Sequence, residues 1–158
     1  MSDQVINVPL TNLNITPFAF QHYAKDFYEA YAKHKPGHKF SPARFFLITR
    51  SIVLAAKSLH LARGRSVADV LDLGHDLEAV CDAGVLAGFG LALMPPENVE
   101  LQKANQYYKG KGFEYFLFKF PGIPMERSGP QQALSGWPGL PDESVLESIL
   151  DKLLTPKL

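Results

Sequence analysis

The stretch from Ser41 to Gly64 constrains this chain more than any other. Phe45, Phe46, Ile48, Ile52, Val53, Leu54, Leu59 and Leu61 cover nearly the whole circumference of a helix turning about 100° per residue. A helix that is apolar on every side has to run through the centre of a bundle. Ser41-Pro42 supplies its start, with serine as N-cap and proline at the first helical position, where a missing N–H costs nothing. Gly64 supplies its stop. The same window contains Arg50, Lys57 and His60, and charges at mid-span are too costly for a lone membrane helix. Met1 to Ile6 lack the basic start and apolar run of a secretory signal. The expectation is a soluble, cytoplasmic protein without a membrane partner.

Other elements follow from cap residues and periodicity. Thr16-Pro17 opens a first helix, with Phe20, Tyr23, Phe27 and Tyr31 on one face and Pro36-Gly37 at its end. Ser66 to Asp69 resembles a capping box for a short helix that ends near Gly74. His75-Asp76-Leu77 opens another, with Leu77, Val80, Cys81 and Gly84 toward the core. Pro95-Pro96 starts a further helix through Val99, Leu101, Ala104 and Tyr108, stopped by Gly110 and Gly112. Phe113 to Phe120 reads as a short strand or an extended aromatic arm. Residues 121–141 hold five prolines and four glycines, which predicts a surface excursion, with Trp137 as its tie. Asp142 caps a last helix, 142–154, striped with Val145, Leu146, Ile149, Leu150, Leu153 and Leu154. The fold class is all-α, in one domain spanning 1–158 with its core at about 16–120.

Composition excludes several classes of function. Lys plus Arg number 16 and Asp plus Glu number 16, so bulk charge does not hold this chain to nucleic acid. One cysteine, Cys81, rules out an internal disulfide and any all-cysteine metal site. The histidines show no metal-ligand spacing, and no Walker loop, nucleophile elbow or zinc finger is present. No metal or cofactor is expected.

Candidate chemistry centres on four residues. Arg50 and Lys57 lie seven apart, on one stripe of the central helix and roughly 10 Å apart along it. Each needs a carboxylate or a path to water, and Asp76 is the natural partner for Lys57. They form an internal ion pair that sets helix register, or snorkel to solvent as two long side chains, or line a polar groove facing a ligand. His75 and Asp76 are adjacent, and adjacent helical residues do not face each other, so they read better as N-terminal caps than as an acid–base dyad. Two basic stretches remain, Lys33/Lys35/Lys39/Arg44 and Lys103/Lys109/Lys111/Lys119, the second interleaved with Tyr107, Tyr108, Phe113 and Tyr115. Lysine–aromatic interleaving can hold single strands; the alternative is a solvated loop and a core-packing segment.

The run from Ser41 through Arg50 to Lys57, then Gly64, then Leu73-Gly74-His75-Asp76-Leu77, resembles the HEPN superfamily of bacterial helical domains. Asn105 to Tyr115 resembles the segment that follows in that group, and the likeness spans about residues 16–121. It implies an antiparallel bundle of four to five helices, a homodimer, and association with RNA or a nucleotide. It further implies a nucleotidyltransferase or antitoxin-like partner. Catalytic members pair an arginine with a histidine four to six residues later. Here Arg44 and Arg50 precede His60 with 15 and nine residues between, and Arg63 and Arg65 precede His75 with 11 and nine. The expectation is therefore a non-catalytic module that binds a nucleotide, RNA or a partner protein. Arg50, Lys57, His75 and Asp76 would line or brace its groove. The alternatives are an endoribonuclease using Arg50 and His75, and a purely structural partner. The wide C-terminal stripe and the aromatic arm offer more apolar surface than one small bundle covers, which predicts a homodimer.

Overall fold

The computed structural model describes residues 15–37, 41–115 and 139–158, with the side chains of Glu114 and Tyr115 excepted. Within them the chain is all-α and contains no strand. Its helices are α1 (Pro17–Lys33), α2 (Pro42–Ala62), α3 (Val67–Asp72), α4 (Leu77–Val80), α5 (Ala83–Ala87), α6 (Pro95–Tyr108), α7 (Gly112–Tyr115) and α8 (Glu143–Leu154). Four are long and four are single turns or little more. Helix α2 packs against every one of the other seven. Every residue from Ser51 to His60 is buried, as an all-round apolar helix demands. The most apolar part of α2 is 72% buried inside the protein, so protein packing, without a bilayer, accounts for its hydropathy.

Local cap chemistry sets the helix boundaries. Thr16 Oγ1 accepts from the Ala19 amide at 3.1 Å, and Ser66 Oγ from the Asp69 amide at the same distance. Ser41 Oγ accepts more weakly from Arg44 N at 3.4 Å. Helix α2 closes on Gly64, whose φ of +83° is one only glycine adopts without strain. The Arg65 amide then donates to His60 O at 3.2 Å and the Gly64 amide to Leu61 O at 2.9 Å, the paired bonds of a Schellman end.

Several boundaries and faces differ from expectation. Tyr23 is 48% exposed; the buried face of α1 runs through Gln21, Ala24 and Tyr31, with Phe20, Phe27 and Tyr28 half-buried beside it. Helical geometry puts Ala24 in line with Phe20, Phe27 and Tyr31, and turns Tyr23 away. The helix expected from His75 onward breaks at Cys81, because Asp82 accepts from the Val85 amide at 2.9 Å and starts α5 anew. Gly84 consequently lies exposed. The aromatic arm begins as helix, not strand: Phe113 is in α7, buried and stacked on Phe45 and Tyr107 at 5.4 Å each. Residues 116–138, with Trp137 and most of the Pro/Gly-rich segment, lie outside the described residues.

Two polar junctions fasten α8. Tyr31 Oη donates to Glu143 at 2.8 Å and to Glu147 at 2.5 Å. Arg44 lies over the Tyr31 ring at 4.0 Å and donates through Nε to Glu143 at 2.9 Å. Its Nη1 caps the end of α1 by donating to His34 O at 2.6 Å. At the other end, Lys152 donates to Glu97 at 2.6 Å, while beside the first junction Asp142 N donates to Glu100 at 2.8 Å. Between the junctions Leu146, Ile149, Leu150 and Leu153 are completely buried within the chain. The C-terminal stripe therefore completes the core, and the surplus apolar surface on which a dimer was expected is not found there.

Candidate functional site

Arg50 and Lys57 share a stripe on the central helix, as their spacing requires. Arg50 is half-buried, its guanidinium 6.0 Å from the centre of the Phe27 ring on α1. Its Nη1 lies 3.5 Å from His75 Nδ1, a long contact at the outer edge of hydrogen bonding. Lys57 is only 7% exposed, and its ammonium makes no hydrogen bond with a described residue. Burial, and after it repulsion from Arg50, pulls its pKa below the ordinary lysine value. Among the described residues, neither cation has a carboxylate partner.

Asp76 is not the partner of Lys57. Its carboxylate is committed elsewhere: Oδ1 caps α4 by accepting from the Glu78 and Ala79 amides at 3.2 Å each. It also accepts from Asn105 Nδ2 at 3.0 Å and forms an ion pair with Lys109. The Lys109 ammonium holds the Asp76 carboxyl below the usual carboxylate range. Buried Asn105 reaches Glu78 as well, at 2.9 Å, and its own oxygen accepts from the Leu77 amide at 2.8 Å. One side chain on α6 thereby locks the whole 76–78 turn. Beside it opens a shallow depression of about 410 Å³ lined by Glu78, Gln102, Asn105, Gln106, Lys109 and Gly110. Asp76 thus caps, as read from the sequence, and braces the loop that presents His75.

His75 sits in the turn after Gly74, whose φ of +59° reverses the chain between α3 and α4. Its ring meets the edge of Tyr108 on α6 at 5.6 Å. Tyr108 lies 6.3 Å from Phe46, and Phe46 lies 6.5 Å from Phe27. Around Arg50 the fold therefore assembles an aromatic wall from α1, α2, α6 and the His75 turn. Phe27 and Phe46 carried no functional signal in the sequence, since each also fits a core stripe, and Tyr108 stood out only within the lysine–aromatic stretch. Cations beside aromatic faces form the usual setting for a phosphate with an attached ring.

Among the described residues, several members of the two basic stretches are committed to other contacts. Arg44 is spent on Glu143 and the end of α1, and His38 and Lys39 lie outside the described residues. In the second stretch Lys103 pairs with Glu100 at 2.7 Å and Lys109 with Asp76. Tyr107, Tyr108 and Phe113 are buried, so their faces pack the core; Lys119 lies outside the described residues. His60 is fully buried and neutral: Nε2–H donates to Val80 O at 2.8 Å, while Nδ1 accepts from Arg65 at 3.1 Å. Burial pushes the Cys81 thiol up to about 12, which leaves it unreactive. Among the described residues no group of three or more His, Cys, Asp or Glu side chains is placed to hold a metal. Comparison of the chain with protein-family models, curated proteins and solved structures finds no match.

Proposed function

We propose that the chain is a non-catalytic, HEPN-like binding module whose groove at Arg50, Lys57 and His75 takes the phosphate of a nucleotide or RNA. One observation carries this reading: two cations on one stripe of the central helix, one of them almost wholly buried, have no carboxylate among the described residues. An anionic ligand supplies the counter-charge that the described residues do not. Phe27 and Phe46 supply the ring surface beside it, and Asp76 braces the loop carrying His75 through Asn105 and Lys109. The HEPN resemblance adds a homodimer and a nucleotidyltransferase or antitoxin-like partner to this reading. Light scattering tests the dimer: a mass of 17.5 kDa that persists as concentration rises excludes it.

A second reading rests on the contact between Arg50 and His75 at 3.5 Å. In a metal-independent ribonuclease, a histidine takes the 2′-hydroxyl proton while an arginine stabilises charge building on the phosphorus centre. The 2′-oxygen then displaces the 5′-oxygen, which leaves as a hydroxyl on taking up that proton from the histidine, and a 2′,3′-cyclic phosphate remains. Incubating the purified protein with mixed RNA separates the two readings. A salt-sensitive mobility shift without cleavage supports the binder. Cleavage abolished by His75→Ala supports the enzyme, and neither shift nor cleavage overturns both.

A further inference from the structure

Resting on the anion-binding reading above, we infer that the Arg50–Lys57 stripe prefers a phosphate monoester, the terminal phosphate of a nucleotide, over the diester of a continuous strand. Charge is the first argument. A phosphate monoester carries close to two negative charges at neutral pH, whereas each diester in a strand carries one. Arg50 and Lys57 present two positive charges with no carboxylate partner among the described residues. The monoester balances both, and the diester leaves one uncompensated.

Access is the second argument. Arg50 is half-buried, whereas Lys57 is only 7% exposed. A strand interior has a nucleotide on each side of every phosphate, and both would have to enter with it. A terminal phosphate has only one substituent, so it can enter end-on past Arg50 with its nucleoside against Phe27 and Phe46. Positions seven apart lie roughly 10 Å apart along the axis, a span over which the two longest cationic side chains converge on one small anion. The order of contact is therefore Arg50 at the mouth and Lys57 at the inner end.

Nuclear magnetic resonance titration of the full chain tests this with two probes that share a base: adenosine 5′-monophosphate and adenosine 3′,5′-cyclic monophosphate. An added hydrogen bond between charged groups corresponds to about tenfold in affinity. The monophosphate is expected to bind about tenfold more tightly than the cyclic diester, and Lys57→Met should abolish that preference. Arg50→Gln should weaken both probes. A circular dichroism spectrum and cooperative melting curve like the parent's show that Lys57→Met is folded, so loss of binding is read as loss of contact. Equal affinity for the two probes, or a preference that survives Lys57→Met, overturns the inference and leaves the anion-binding reading standing. If neither probe nor a short oligoribonucleotide binds, both fall.

Discussion

Replacing Lys57 by methionine should make this protein more stable. Methionine keeps the length of the side chain and its helix propensity, and it fills the same channel without the charge. The side chain it replaces is 7% exposed, has no carboxylate partner among the described residues, and is repelled by Arg50. Leaving a fully buried charge unpaired costs about 3–5 kcal/mol. The remaining exposure of Lys57 lowers the figure, and a gain of about 2 kcal/mol is expected. For a chain of this size that raises the melting temperature by about 4–8 °C. The pH dependence has a definite sign. The folded-state pKa of Lys57 is depressed below 10.5, so charging it opposes folding at neutral pH. That penalty fades as pH rises toward the unfolded value, and the gap between variant and parent should narrow as pH approaches 10.5. Urea unfolding followed by circular dichroism, at about pH 7 and about pH 10, measures both effects. A variant less stable than the parent at neutral pH would show that Lys57 has a stabilising partner, and would refute the reasoning.

Three further outcomes follow from the same contacts. Tyr31→Phe removes a hydroxyl shared by Glu143 and Glu147 and should cost about 1–3 kcal/mol in urea unfolding. His60 is neutral and its pKa is lowered, chiefly by burial. Stability should fall below about pH 6.5, where the unfolded chain takes up the proton. The contribution of His60 reaches at most about 1.4 kcal/mol per pH unit, and the slope should flatten in His60→Gln. Asn105→Ala strips three bonds from the 76–78 turn, so hydrogen exchange at the Leu77 amide should accelerate by about tenfold or more.

The central helix and most cap residues were legible in the sequence, because both are local. Apolar residues all around one helix admit one position in a bundle, and Thr16, Ser41, Ser66, Asp76 and Asp142 each accept from the turn that follows. The candidate site was legible only as a list of residue types. Arg50 and Lys57 on one stripe follow from helix geometry, but the approach of His75 to Arg50 depends on how the α3–α4 turn folds back. The pairing of Asp76 with Lys57 failed for a physical reason. A carboxylate at an N-cap already has two amides to satisfy, and Asn105 and Lys109 on α6 complete its shell. Glu97 with Lys152 and Tyr31 with Glu143 join residues 55 and 112 positions apart; no periodicity reveals which helices abut. The C-terminal stripe was misread as surplus because its depth depends on α2, which takes Leu146, Ile149, Leu150 and Leu153 into the core.

The central claim, that two uncompensated cations hold a phosphate, is tested most directly by the salt dependence of RNA binding. Fluorescence anisotropy with a labelled oligoribonucleotide, at about pH 7.5 and a series of salt concentrations, gives log affinity against log salt. Each phosphate contact with a cation contributes about −0.7 to that slope for a single strand. With a 5′-phosphate on that strand, neutralising both of its charges predicts a slope of about −1.4 in the parent, falling to about −0.7 in Arg50→Gln and likewise in Lys57→Met. A slope that neither substitution changes, or no binding at low salt, would contradict the account.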